Sequence, residues 1–219
     1  LISTENKKYL DFGSGIAVNS LGHCHPILVK KLMKQANKLW HTSNLYLNSE
    51  QEDYAQILCC NSFAEKIFFT NSGTEAIEAG IKVVRSYHHY NNTKKNKIIT
   101  FEGAFHGRSF GAISAQADKK NSRAFGPLLN GFKKVPFNNL DTLKKNINET
   151  IGAIMIEPIQ GEGGIKPAAL DFLEAIRKIC DENNILFFLD EVQSGFGRTG
   201  KLFAYEWGNF EPDIISTAK

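Results

Sequence analysis

Long apolar runs are missing from this sequence. The longest, such as Ile185–Leu189, are strand-sized, far short of the ~20 residues a membrane-spanning helix needs. Charge of one sign is missing too: 26 Lys and Arg face 23 Asp and Glu, a net +3. The lysines are scattered in small knots at Lys30-Lys31, Lys94-Lys95 and Lys144-Lys145. A nucleic-acid partner would want a concentrated basic face, so none is expected, and no membrane partner either. Cysteine is scarce, and Cys24, Cys59, Cys60 and Cys180 show no C-x-x-C spacing. With no signal peptide visible, reduced thiols in a cytoplasmic protein are expected. Disorder is excluded by composition, at 42% hydrophobic and 22% charged. The sequence lacks an initial Met and stops at Lys219 right after a strand-like stretch, so a fragment is expected.

What is present is an alternation of short β-branched runs with longer helical periods. Pro26 opens a helix with Ile27, Leu28, Leu32, Met33, Ala36 and Leu39 on one face. Ser49-x-x-Glu52 reads as a capping box ahead of Tyr54, Ala55 and Leu58. Strands are predicted at Ile67–Thr70, Ile98–Phe101, Ile151–Ile156, Ile185–Leu189 and Ile214–Thr217. Helices are predicted at Thr74–Tyr90 and Leu170–Cys180, and polar surface connections at Asn91–Lys97 and Lys133–Asn148. Apolar runs this continuous are expected of a mostly parallel sheet covered by helices, an α/β fold. Such sheets bind ligands at the carboxyl ends of their strands.

Several chemically capable clusters follow those predicted strand ends. Ser72-Gly73-Thr74 between strand and helix makes either an anion site or an ordinary helix cap. Asp190 ends an apolar strand, where a carboxylate needs a positive partner: a lysine or arginine, a protonated ring nitrogen, or a metal. Phe105 can stack on a planar ring or fill a core, and Arg108 can clamp a carboxylate or sit at the surface. Lys219, emerging from a buried strand, is either a solvated tail or an amine nucleophile. His23-Cys24-His25 lacks a second pair to complete a metal tetrahedron, so no metal is expected. Glu157 and Glu162 flank a Gly-rich loop that gives them no defined spacing as an acid pair. The G-x-x-x-x-G-K-[ST] loop is absent, and Gly13-Ser14-Gly15 makes no dinucleotide fingerprint. An anion cup, an aromatic plate, a buried carboxylate and a strand-end amine together match the phosphate, ring, ring nitrogen and aldehyde of pyridoxal 5′-phosphate.

In NSGTEAIEAGIK (71–82), FEGAFHGRSFGAIS (101–114), IMIEPIQGEGG (154–164), LDEVQSGFGRTGKLFAYEW (189–207) and PDIISTAK (212–219), the sequence resembles the class III pyridoxal-phosphate-dependent aminotransferases of fold type I. The resemblance implies that residues 1–25 belong to the small domain and residues 26–219 to the large cofactor-binding domain. It implies that Lys219 bonds covalently to the cofactor and that Asp190 pairs with its ring nitrogen. Gln193 would meet the ring's phenolic oxygen, Val192 one ring face and Phe105 the other. Ser72, Gly73 and Thr74 would hold the phosphate, with His106 and Glu191 also in the cofactor site. Arg108 would bind the substrate carboxylate, and Glu162 would gate a second arginine. An intact FHGR and DEVQ point to an aminotransferase rather than an aminomutase of the family.

GIAVNSLGHCHP (15–26) and LWHTSNLY (39–46) look most like members whose donor is N-acetylornithine, with 2-oxoglutarate as acceptor, in arginine biosynthesis. Donors such as ornithine, succinyl-diaminopimelate or 4-aminobutyrate stay open. The family carries a further C-terminal segment after the lysine and works as a homodimer. Two other classes compete: a dinucleotide-binding oxidoreductase on a similar sheet, and a fragment that keeps the fold without activity.

Overall fold

The computed structural model describes residues 1–116 and 124–219. These form two compact units, Leu1–Phe68 and Phe69–Lys219. In the first, a helix spans Pro26–Ala36 and another Ser49–Cys60. Pro26 stands in the first helical turn, where its missing N–H costs nothing. The predicted face of that helix is not packed: Ile27, Leu28, Leu32 and Met33 are all exposed, and Leu39 lies beyond its end. The second helix is capped one residue earlier than expected. Asn48, not Ser49, accepts the N–H groups of Glu50 and Gln51 on its side chain. His23 Nε2 meets Asp11 Oδ2 at 2.6 Å, and this hydrogen bond holds the Asp11 carboxyl below its ordinary range.

The second unit is built on a five-stranded sheet: β1 (Lys97–Phe101), β2 (Phe132–Val135), β3 (Ile151–Ile156), β6 (Leu186–Glu191) and β7 (Ile214–Thr217), in the order β2-β1-β3-β6-β7. All four pairings are parallel. A small antiparallel pair, β4 (Ile159–Gln160) and β5 (Lys166–Pro167), follows β3. On one face the Gly73–Tyr90 helix packs Ile77, Ile81 and Val84 onto Ile98, Ala153, Met155 and Phe188. Gly80 lets it lie close, because a Cβ there would run into the Phe188 ring. The opposite face carries Phe101, edge-on to Phe172 of the Leu170–Asn183 helix at 5.8 Å, and Phe187 under the Arg177 guanidinium. Burial on both sides accounts for the unbroken apolar runs of β3 and β6.

Three local expectations change. Ile67–Thr70 forms no strand, since no described strand pairs with it, and Phe68 is exposed. Lys133–Asn148 is more than a connection. It contains most of β2 and a helix, Leu140–Asn146, capped by Asn139. The third change matters most for chemistry: β6 does not stop at Leu189 but runs on through Asp190 and Glu191.

Candidate functional site

The strand order reverses between β1 and β3, because the chain leaves β1 for β2 on one side and returns to β3 on the other. Loops leaving such neighbours diverge and open a crevice at the carboxyl edge. There the second unit gathers its polar residues.

Side chains alternate along β6, so Asp190 shares a face with Phe188 and Glu191 takes the other. Asp190 is buried; its Oδ2 lies 2.7 Å from His106 Nδ1, and its Oδ1 accepts the Val192 N–H at 3.0 Å. His106 is buried as well, and its Nε2 has no hydrogen-bond partner among the described residues. Just past β3, next to the Ile156–Leu189 pair, stands Glu157 beside Asp190; its Oε2 accepts the Phe105 N–H at 3.0 Å. Burial first, and then the Asp190 carboxylate, push the Glu157 carboxyl up to about 9.

The helix that starts at Gly73 brings its N-terminus to the same edge. A Cβ on Gly73 would come within 2.7 Å of Val192 Cγ1 and 3.2 Å of the Ala218 Cβ, so only glycine lets the turn after β6 close on it. Gly107, at φ 125°, faces the Thr74 hydroxyl, which a Cβ would strike. Ser72 caps this helix by accepting the Glu75 N–H at 3.2 Å, the cap that was one of two readings of this turn. Lys219 follows β7, and its N–H donates to the Val192 carbonyl at 3.1 Å. Its charge reaches Glu157, as does that of the exposed Glu162. Gln193, half-buried, crowds Gly161 at the start of the 161–164 turn. Arg108 is exposed, with its guanidinium carbon 5.7 Å from the centre of the Phe105 ring.

The structure brings Gly73, Thr74, Val192, Asp190, His106 and the Lys219 main chain to this edge, leaves Arg108 and Glu162 exposed, and turns one expected residue away. Glu191 is wholly buried but turned away: it accepts the Ala204 and Tyr205 N–H groups at 2.6 and 2.9 Å and the Ser194 hydroxyl at 3.1 Å. Burial pushes its carboxyl up to about 6 against the pull of those bonds. It anchors the 194–205 segment rather than lining the crevice. Glu157 is the residue that sequence reasoning undervalued. Among the described residues no group of three or more His, Cys, Asp or Glu is placed to hold a metal. No helix of the described residues is long and apolar enough to cross a membrane.

The sequence profile described as Aminotransferase class-III matches residues 1–219. The chain belongs to the class III aminotransferases. Among curated relatives, the acetylornithine aminotransferase of Rhodobacter capsulatus is 53% identical over all of this chain and 56% of its own length. That of Caldanaerobacter subterraneus is 53% identical over 99% of this chain and 55% of its own. The chain thus spans about half the length of the curated relatives it matches. The solved N-acetylornithine aminotransferase from Stenotrophomonas maltophilia superposes with a TM-score of 0.86 at 38% identity, over 100% of this chain and 55% of that one. An ornithine aminotransferase from Toxoplasma gondii gives 0.92 at 28%, over 98% and 52%.

Class III aminotransferases use pyridoxal 5′-phosphate, and the residues at this edge fit it. Gly73 opens the first turn of an 18-residue helix that offers free N–H groups to an anion, and Gly107 lets the 105–108 turn pack against Thr74 of that same first turn. A buried carboxylate, a buried imidazole nitrogen with no partner among the described residues, and a lysine stand at the same edge.

Proposed function

We propose that the protein transfers the terminal amino group of N-acetylornithine to 2-oxoglutarate, with pyridoxal 5′-phosphate held at the carboxyl edge of the sheet. The observation that carries this reading is the closure of the Val192 turn on Gly73, which brings the Lys219 main chain, the Gly73 helix end and Asp190 to one spot. N-acetylornithine as donor is supported by the names of the relatives at about half identity. The assignment of residues 1–25 to the small domain, the homodimer, the cytoplasmic location and the role in arginine biosynthesis come with the same reading.

When bound, the cofactor supplies a carbonyl to receive the amine and a ring to hold the electron pair released at the amine-bearing carbon. The chain's own residues do the rest. N–H groups of Gly73 and Thr74, with the Ser72 hydroxyl nearby, hold the phosphate at the positive end of the helix dipole. Phe105 and Val192 would cover the two ring faces and exclude water. Asp190 keeps a proton on the ring nitrogen, and His106 at 2.7 Å fixes the direction of that carboxylate. Gln193 faces the phenolic oxygen. Lys219 would anchor the cofactor covalently, and its free Nζ would move the proton at the amine-bearing carbon. Arg108 receives the substrate carboxylate as a bidentate fork, and Glu162 pairs with a second arginine while the donor is bound.

Glutamate formation from 2-oxoglutarate, assayed with N-acetylornithine, ornithine, succinyl-diaminopimelate and 4-aminobutyrate in parallel, tests the donor; N-acetylornithine is expected to give the highest kcat/KM. Borohydride reduction and peptide mapping test the anchor, with the label expected on Lys219 and lost in Lys219→Ala. Label on another lysine overturns the assignment. Glutamate from another donor alone reassigns the substrate.

A further inference from the structure

The turn that carries the aromatic plate is fastened to the sheet by two carboxyl groups on neighbouring strands. His106 is tied by its ring to Asp190 at the end of β6, and Phe105 by its main chain to Glu157 just past β3. Ile156 pairs with Leu189 in the β3–β6 register, so the next residues, Glu157 and Asp190, stand side by side. Odd-numbered β3 residues and even-numbered β6 residues both face the Gly73–Tyr90 helix, which puts the two carboxyls on one face.

We propose that Glu157 is a positioning residue for the cofactor: through the Phe105 N–H it sets the pitch of the Phe105 ring against which the pyridine ring lies. This rests on the reading of the site as a pyridoxal-phosphate site. Glu157 is not itself a catalytic residue, because it holds the plate rather than the reacting atoms. Two like charges side by side in a dry site would repel strongly. The charged groups that act on Glu157 are Asp190 on β6, Glu162 on the following loop and Lys219 after β7; only Lys219 favours its ionisation. A neutral carboxyl satisfies this place. Its carbonyl oxygen accepts the Phe105 N–H and adds no second negative charge beside Asp190. Neutrality makes glutamine an adequate replacement, whereas removing the acceptor leaves the Phe105 N–H unpaired.

The test compares Glu157→Gln with Glu157→Met, two side chains of similar length and volume that differ in the acceptor. Pyridoxal 5′-phosphate is titrated into each apoprotein by equilibrium dialysis, and the induced circular dichroism of the bound cofactor reports how the ring is seated. Glu157→Gln is expected to bind within about threefold of wild type with an unchanged dichroic band. Glu157→Met is expected to bind about tenfold more weakly, the scale of one lost hydrogen bond, with an altered band. If the methionine variant fails to fold, Glu157→Ala takes its place with the same expectation. Equal affinity and dichroism in the acceptor-free variant overturn the proposal. A glutamine variant as weak as the methionine variant overturns it as well, since charge and not the acceptor would then matter. Wild-type protein that binds no pyridoxal phosphate removes the reading of the site itself, a failure distinct from either of these.

Discussion

Glu157 and Glu191 stand at the carboxyl ends of adjacent parallel strands and are both buried, at 7% and 0% exposure. Their surroundings differ in what they give back for the lost hydration. Glu191 receives three hydrogen bonds, from Ala204, Tyr205 and Ser194, and its carboxyl is pushed up only to about 6. Glu157 receives the Phe105 N–H, sits beside the Asp190 carboxylate, and is pushed up to about 9. Burial alone therefore does not mark a functional carboxyl. A well-supplied carboxylate fastens a loop, and an under-supplied one beside a like charge marks the crevice.

The largest expected effect breaks the well-supplied member. Glu191→Ala orphans two backbone N–H groups and a hydroxyl in the interior, and opening such a network costs ~3–5 kcal/mol. Urea unfolding is expected to show that loss, while Glu157→Ala, which orphans one N–H, is expected to lose about 1–2 kcal/mol. Equal losses would mean that hydrogen-bond supply does not separate the two sites. Next in size is Asp190→Asn, at the carboxylate that precedes Glu191 on β6 and lies beside Glu157. An amide cannot hold a proton on the ring nitrogen, and a charge at contact distance in a partly screened site is worth several kcal/mol. Single-turnover transfer is expected to slow by ~10²-fold or more with cofactor still bound. Near-normal turnover would leave Asp190 with a structural role only, like its neighbour Glu191.

Much of this was legible in the sequence, for reasons that also explain what was not. β1, β3 and β6 announce themselves because burial on both faces demands unbroken apolar runs, and the half-buried β7 shows through its Ile214-Ile215 pair. β2 hides because an edge strand of four residues, Phe132-Lys133-Lys134-Val135, carries lysines as edges do. Ile67–Thr70 has strand-like composition, but pairing is non-local, and none of the described strands pairs with it. Asp190, Phe105, Gly73 and Lys219 could be picked out because each follows an apolar run or opens a helix at one edge. The aim of Glu191 is hidden because the apolar run stops at Leu189 while the strand, and the alternation that sends Asp190 and Glu191 to opposite faces, continues for two polar residues more. Glu157 depends on the β3–β6 register, which one strand's sequence does not contain.

The smallest expected effect separates the two glutamates by pH. Each carboxyl is raised above its ordinary 4.5 in the folded protein, so the folded state keeps a proton that the unfolded chain has released. Stability from each is fully present below about 4.5 and is lost as pH rises through the folded value. For Glu191 that window closes near about 6; for Glu157 it extends to about 9. Between pH ~6.5 and ~8.5 Glu157 alone of the pair differs in protonation between the two states, contributing a slope of at most one proton, ~1.4 kcal/mol per pH unit. Urea unfolding of the apoprotein across that range is expected to show stability falling with pH, and Glu157→Gln to remove that fall because an amide does not titrate. Glu191→Gln is expected to flatten only the part between about 4.5 and about 6. A wild-type slope that persists in Glu157→Gln would assign the proton to another group and place Glu157 among the ionised, structural carboxylates with Glu191.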